Sequence, residues 1–164
     1  MSQKYELTTN IKIRFGTKLF QIRALVSFGS VSEGELGGWI EKESNLSHEG
    51  DAWVSGDAVV YGNAWVSGDA RVYGNARVYG NARVSGDADL VWISKVGSEN
   101  GTLTAMRSKE GGIQVSRGCF EGSLDQFATA VEGSHGDGQI GEEYRLLIQF
   151  IRLRMSQDKA QGDK

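Results

Sequence analysis

The stretch from Gly50 to Val91 reads "GDAWVS GDAVVY GNAWVS GDARVY GNARVY GNARVS GDADLV", seven consecutive six-residue units that agree at Gly, at Asp or Asn, and at Ala. The fifth position is Val in every unit until Leu90 replaces it. A fixed period of this kind marks a solenoid in which every unit repeats one local structure. Gly admits positive φ without steric cost, while Asp and Asn tolerate turn geometry and bond nearby backbone. Each unit therefore predicts one corner and one short strand. Val54, Val60, Val66, Val72, Val78, Val84 and Leu90 are predicted to point inward. Ala58, Ala64, Ala70, Ala76, Ala82 and Ala88 are predicted to fill narrow corners. Ile40, Ser44 and Leu46 fit the same template upstream, but Leu46 to Val54 is eight positions rather than six, so an insertion lies between them.

Composition sets limits on what this solenoid can do. The chain has 164 residues, 18 Lys+Arg, 21 Asp+Glu and a formal net charge of −3. That balance argues against general nucleic-acid binding and against an anionic membrane surface as partner. No apolar run approaches the ~18 residues of a membrane span, and Met1 to Asn10 lacks an apolar signal core. A single cysteine, Cys119, excludes an intramolecular disulfide. A cytoplasmic location is the expectation. Gly is 23 of 164 and Pro is absent, a composition of fixed tight corners rather than of disorder.

Upstream, Tyr5 to Phe28 reads as a β-hairpin. Ile11, Ile13 and Phe15 alternate, Gly16-Thr17-Lys18 forms the turn, and Phe20, Ile22 and Ala24 alternate in return. The hairpin is expected to cap the first coil. The segment "FGSVSEGELGGWIEKESNLS" (Phe28 to Ser47) follows, with Gly37-Gly38-Trp39-Ile40 inside it. With the hairpin and the six-residue units, residues 5–92 resemble the YdcK-like group of bacterial and phage hexapeptide-repeat proteins. The resemblance implies a short left-handed parallel β-helix, three hexapeptides to a triangular coil, which departs from the right-handed rule for ordinary crossovers. It also implies a homotrimer, and it suggests a phage or prophage chain acting on a host factor. The group's acetyltransferase label rests on fold analogy.

Three units to a coil place residues 18 apart on one face, about 4.8 Å from each other. Trp53, Arg71 and Asp89 then form one column, Val59 and Arg77 a second, Trp65 and Arg83 a third. Tyr61 and Tyr79 share a column, and Tyr73 stands between Ser55 and Val91. Arg71, Arg77 and Arg83 each fall on a different face, as a ring. The ring reads either as an anion clamp or as Trp–Arg stacking, worth ~0.5–1 kcal/mol at exposed sites, joined by an Arg71–Asp89 pair. Outward aromatics in this number point to an interface between subunits. Asp51, Asp69 and Asp87 stack on one corner. They read as exposed turn residues rather than as Ca²⁺ ligands, so no metal is expected.

After Trp92 the units stop, and 93–156 reads as an α+β module. Val91–Val96, Thr102–Met106 and Ile113–Val115 are predicted strands, with turns at Glu99–Gly101 and Glu110–Gly112. Ser123 is a predicted N-cap with Gln126 at the capping-box position, opening a helix through Glu132 that Gly133 ends. A second helix is predicted from about Gly141 to Met155. It has one stripe at Tyr144, Leu147, Ile148 and Ile151 and another at Leu146, Phe150 and Leu153, so it is expected to be buried twice, once against another chain. Arg152 and Arg154 are binding candidates at its end. Residues 1–39 form the cap, 40–92 the β-helix, and 157–164 a polar tail.

The chemical inventory is thin. His48 and His135 are the two imidazoles. His48 falls in an inward register beside the insertion and is the candidate base of an acyltransferase. Cys119, His135 and Asp137 are candidates for nucleophile, base and orienter, with Cys119 shortly before a helix start, a position that favours a thiolate. The expected function is a trimeric, non-catalytic binding protein that recognises a protein partner or a small anionic ligand without a cofactor. The alternative is an acetyl-CoA-dependent acyltransferase working at the trimer interface.

Overall fold

The computed structural model describes residues 2–156; the tail expected over 157–164 lies outside the described residues. The chain divides into two compact units between Asp87 and Ala88.

The first unit begins with β1 (Tyr5–Arg14), β2 (Thr17–Ala24) and β3 (Leu36–Ile40). Six two-residue strands follow: β4 (Trp53–Val54), β5 (Val59–Val60), β6 (Trp65–Val66), β7 (Arg71–Val72), β8 (Arg77–Val78) and β9 (Arg83–Val84). Parallel pairing joins β4 to β7, β5 to β8 and β6 to β9, so each residue meets its counterpart one coil later: Trp53 with Arg71, Val59 with Arg77, Trp65 with Arg83. The inward Val residues from Val54 to Val84 and the corner alanines from Ala58 to Ala82 are all buried. The corners turn on glycine. Gly68 has φ +64°, and a Cβ there would stand 2.4 Å from the Ser85 carbonyl oxygen, so an L side chain is excluded by both conformation and space.

The seventh unit does not continue the coil. Gly86 lacks the positive φ of its predecessors, and Asp87–Asp89 forms a 3-10 turn. Ala88 is consequently exposed rather than a filled corner, and Leu90 to Trp92 belong to a strand of the second unit. Ser44 also departs from the template. It is exposed in a 3-10 turn, Glu43–Asn45, whereas Ile40 and Leu46 are buried as expected.

Coil hydrogen bonds explain the work of the N-terminal segment. N–H groups along the first coil's strands donate to the next coil: Trp53 to Ala70 at 3.1 Å, Tyr61 to Val78 at 3.0 Å, Ser67 to Val84 at 2.9 Å. The first coil's own carbonyls therefore need donors from the other side, because buried backbone acceptors are costly to leave unpaired. The N–H groups of Trp39, Glu41 and Ser47 serve Ala58, Val60 and Val66. Lys4 Nζ donates to Gly50 and Ala52, at 3.2 and 2.8 Å. Asn45 Nδ2 donates to Gly62 and Ala64, at 3.2 and 2.9 Å. Lys4 and Asn45 thus close two corners that no strand reaches.

The hairpin's sheet runs β1-β2-β3-β5-β8, antiparallel through β3 and parallel beyond it. Its turn is Phe15-Gly16, with φ +53° and +71°, one residue earlier than Gly16–Lys18. A two-residue hairpin turn of this twist needs positive φ at both centres. The Phe15 ring stacks on Tyr61 with centroids 5.8 Å apart, and the Arg77 guanidinium lies 4.1 Å above it. Beyond capping an end, the hairpin therefore covers a side of the coil. Ile11 and Ile13 face solvent, while Leu19, Ile22 and Ala24 are buried.

The second unit is an antiparallel sheet of β10 (Leu90–Val96), β11 (Gly101–Arg107), β12 (Ile113–Arg117) and β13 (Phe120–Ser123), in that order, with two helices. Helix α1 (Leu124–His135) has the expected capping box, Ser123 with Gln126. It runs through Gly133 to Gly136, because Gly133 sits on an open helix face where nothing forces termination. Helix α2 (Gln139–Met155) packs Tyr144, Ile148, Ile151 and Met155 into a core with Leu103, Val115, Leu124, Phe127 and Val131. Strand β13 went unread because "FEGS" has no apolar alternation; the turn Gly118-Cys119 and its pairing to β12 define it.

Candidate functional site: a cleft in the C-terminal unit

Two concavities of the second unit gather most of its chemistry. One, of about 430 Å³, is lined by Arg117, Cys119 and Phe120 around the β12–β13 turn, Glu99 from the β10–β11 turn, Phe127, Val131 and His135 from α1, and Tyr144 from α2. Aromatic rings form its wall. Phe120 meets Phe127 edge-on at 5.1 Å, Phe127 meets Tyr144 at 5.3 Å, and His135 tilts onto Tyr144 at 5.6 Å. Cys119 is exposed at the rim.

Cys119 and His135 are thus brought to one cleft by the fold. The reason is length. Four strand residues advance about 13 Å, and the helix from Leu124 to His135 advances about 16 Å, a comparable length. A helix folded back over β13 therefore sets its last turn near the residue that precedes the strand. The thiol lies among residues of the C-terminal half of α1, and the helix N-terminus expected to serve it is at the other end. Asp137 is exposed in the turn after α1 and does not line the cleft.

Arg117 is the residue sequence reasoning missed. Its Nη2 donates to the Val96 carbonyl at 3.0 Å, while its buried Nε has no hydrogen-bond partner. Among the described residues no carboxylate lies within ion-pair distance of it. Its guanidinium closely approaches Gly97 and Gly101. A charged group between Cys119 and the strand core was a usable signal, since half-buried guanidinium groups ordinarily take an acidic partner.

The second concavity, of about 590 Å³, includes Arg107, Gln114, Asp125 and Arg152. Its cations are already matched. Arg107 Nε donates to the buried Asp89 carboxylate at 3.0 Å and its Nη2 to the Met155 carbonyl, and Arg152 bonds Asp125 at 3.0 Å. Asp89 therefore sits in a 3-10 turn against Arg107, and the Trp53–Arg71 column does not extend to it as a strand. Arg154 is exposed and lines neither cleft.

On the coil, Arg71, Arg77 and Arg83 do occupy three different faces. Their surroundings differ from an open ring. Trp53 is 2% exposed, with its edge to Tyr5 and Phe28; Arg77, Tyr61 and Tyr79 are buried beside the hairpin tip. Arg83 stacks over Trp65 at 5.8 Å and donates to the Asn63 carbonyl. Trp65 and Tyr73 stay exposed. Several outward aromatics read as subunit contacts are hence covered by the chain's own N-terminus.

His48 is not inward. Its side chain is 27% exposed, its ring stacks on Tyr5 at 4.2 Å, and its Nδ1 accepts the Lys4 N–H at 3.1 Å. The insertion between Leu46 and Val54 lifts it from the coil register. With Nδ1 accepting, the neutral ring carries its proton on Nε2, which lies 4.0 Å from Glu43, so no free imidazole lone pair faces a substrate. Among the described residues no group of three or more His, Cys, Asp or Glu converges as a metal site, and no helix is long and apolar enough to cross a membrane.

The family comparison bears on the coil. Residues 52–68 and 76–88 match the YdcK beta solenoid repeat model. The coil carries a YdcK-like solenoid repeat. The YdcK-like match falls on β4–β6 and on β8 through the 3-10 turn, and leaves the second unit outside it. No curated protein matches the chain.

Proposed function

We propose that this is a non-catalytic, cytoplasmic binding protein whose C-terminal unit holds a small anionic ligand in the Arg117 cleft. The observation that carries the reading is the Arg117 guanidinium, without a carboxylate partner, in a cleft walled by Phe120, Phe127 and Tyr144. A carboxylate or phosphate would supply the missing counter-charge, and an apolar or aromatic body would stack on the rings. His135 and Cys119 shape the rim. The coil, proposed as a left-handed hexapeptide β-helix, is the rigid scaffold; its glycine, valine and alanine positions are occupied by structural demands.

The host-factor reading makes the cleft's ligand part of a larger partner and takes the same test. The acyltransferase alternative draws little support from His48, held by Lys4 and Tyr5. A panel of aromatic carboxylates and phosphate esters, screened by calorimetry against the chain and Arg117→Gln, tests the proposal. Binding lost in the variant supports it. Binding of acetyl-CoA alone, unaffected by Arg117→Gln, overturns it.

A further inference from the structure

Helix α2 leaves one apolar row uncovered. Leu146 is 57% exposed, Phe150 49% and Leu153 73%. These residues stand at i, i+4 and i+7, so they form one continuous stripe opposite the buried Tyr144, Ile148 and Ile151. Scattered apolar side chains on a surface are ordinary; an aligned row on a polar helix is a contact surface.

Charge selects the occupant. The first turn of α2 carries Glu142, and Arg145 bridges it to Glu132, which leaves one net negative charge at that end; in the last turn Arg152 is matched by Asp125, and Arg154, which makes no ion pair among the described residues, leaves a positive one, so the two ends of the stripe have opposite sign. A second copy laid antiparallel sets the acidic end of each helix against the basic end of the other. Parallel packing, including packing about a threefold axis, sets like charge against like, which costs stability and disfavours that register. An antiparallel pair is isologous: Leu146 of each chain faces Leu153 of the other, and Phe150 lies near the twofold axis. We infer that α2 mediates twofold, antiparallel self-association of this chain through Leu146, Phe150 and Leu153. The trimer expected from the sequence drew on this same stripe; its charge polarity favours two copies over three. The inference is independent of the Arg117 cleft.

Light scattering and sedimentation across micromolar concentrations test it. The expected mass is twice the 17.8 kDa of the chain, falling to one chain in Phe150→Glu and Leu153→Glu, with circular dichroism and melting of the monomers unchanged. A wild-type monomer at high micromolar concentration, a trimer, or a mass insensitive to both variants overturns it. Orientation is read in a Cys119→Ser background. Gln149→Cys, beside Phe150, is expected to form disulfide-linked dimers, and Glu142→Cys alone is expected not to. Self-linking through Glu142→Cys would show a parallel pair and defeat the inference.

Discussion

The guanidinium of Arg77 lies 4.1 Å over the ring of Phe15, joining the coil to the tip of a hairpin formed long before it in sequence. Arg77 is 6% exposed; Phe15, which has a positive φ and stacks on Tyr61, covers it. An arginine read as surface is thereby part of the packing. Phe15→Ala is expected to lower the stability of the first unit by about 1 kcal/mol, the scale of one cation–π and one ring contact. Denaturant melts that leave the midpoint unchanged would show the tip undocked.

Ala76→Leu is expected to destabilise by ~1–3 kcal/mol, because overpacking a closed corner forces backbone shifts. Ala76 is 0% exposed. Ser67→Leu, one position past the inward Val66, is the control and is expected to cost little. Similar melting temperatures for the two variants would mean that the corners have room.

Two glycines are expected to respond oppositely to alanine. Gly68→Ala meets both a positive φ and the Ser85 carbonyl and should cost more than 1 kcal/mol. Gly133→Ala lies within α1 with nothing within 4 Å of its Cβ and should stabilise by roughly 1 kcal/mol through helix propensity. Thermal melts of both decide it. A destabilised Gly133→Ala would place the helix end where the sequence suggested.

Lys4 makes stability depend on alkaline pH. Burial lowers its pKa to about 8 from 10.5, with Asp51 raising it and Arg71 lowering it further. Below about 8 the ammonium is charged in both folded and unfolded chains, and its desolvation penalty stands in full. Between about 8 and 10.5 the unfolded chain binds more protons, so this group's contribution makes stability rise with pH. Tyr5, whose pKa burial raises from 10.0, acts in the other direction: its contribution is present below 10 and is lost as pH climbs beyond. Urea melts from pH 7 to 10 should show the upward component, and Lys4→Met should abolish it. An identical slope in the variant would exclude Lys4 as the source.

The repeat was legible because its demands are local. Gly at each corner, Val inward and Ala in the narrow space follow from backbone conformation and side-chain volume within six residues, and the structure places Val54 to Val84 and Ala58 to Ala82 accordingly. The Ser123–Gln126 capping box was legible for the same reason. The end of the coil was not, since Gly86 carries the same letters as Gly68 but departs from the repeat's positive φ. Nor was the covering of Trp53, Tyr61 and Arg77, the lifting of His48, or the meeting of Arg117, Cys119 and His135 in one cleft. Periodicity assigns a side chain to the outside of its own element. Whether that outside meets water or another segment depends on contacts between residues distant in sequence, and only the folded chain decides those.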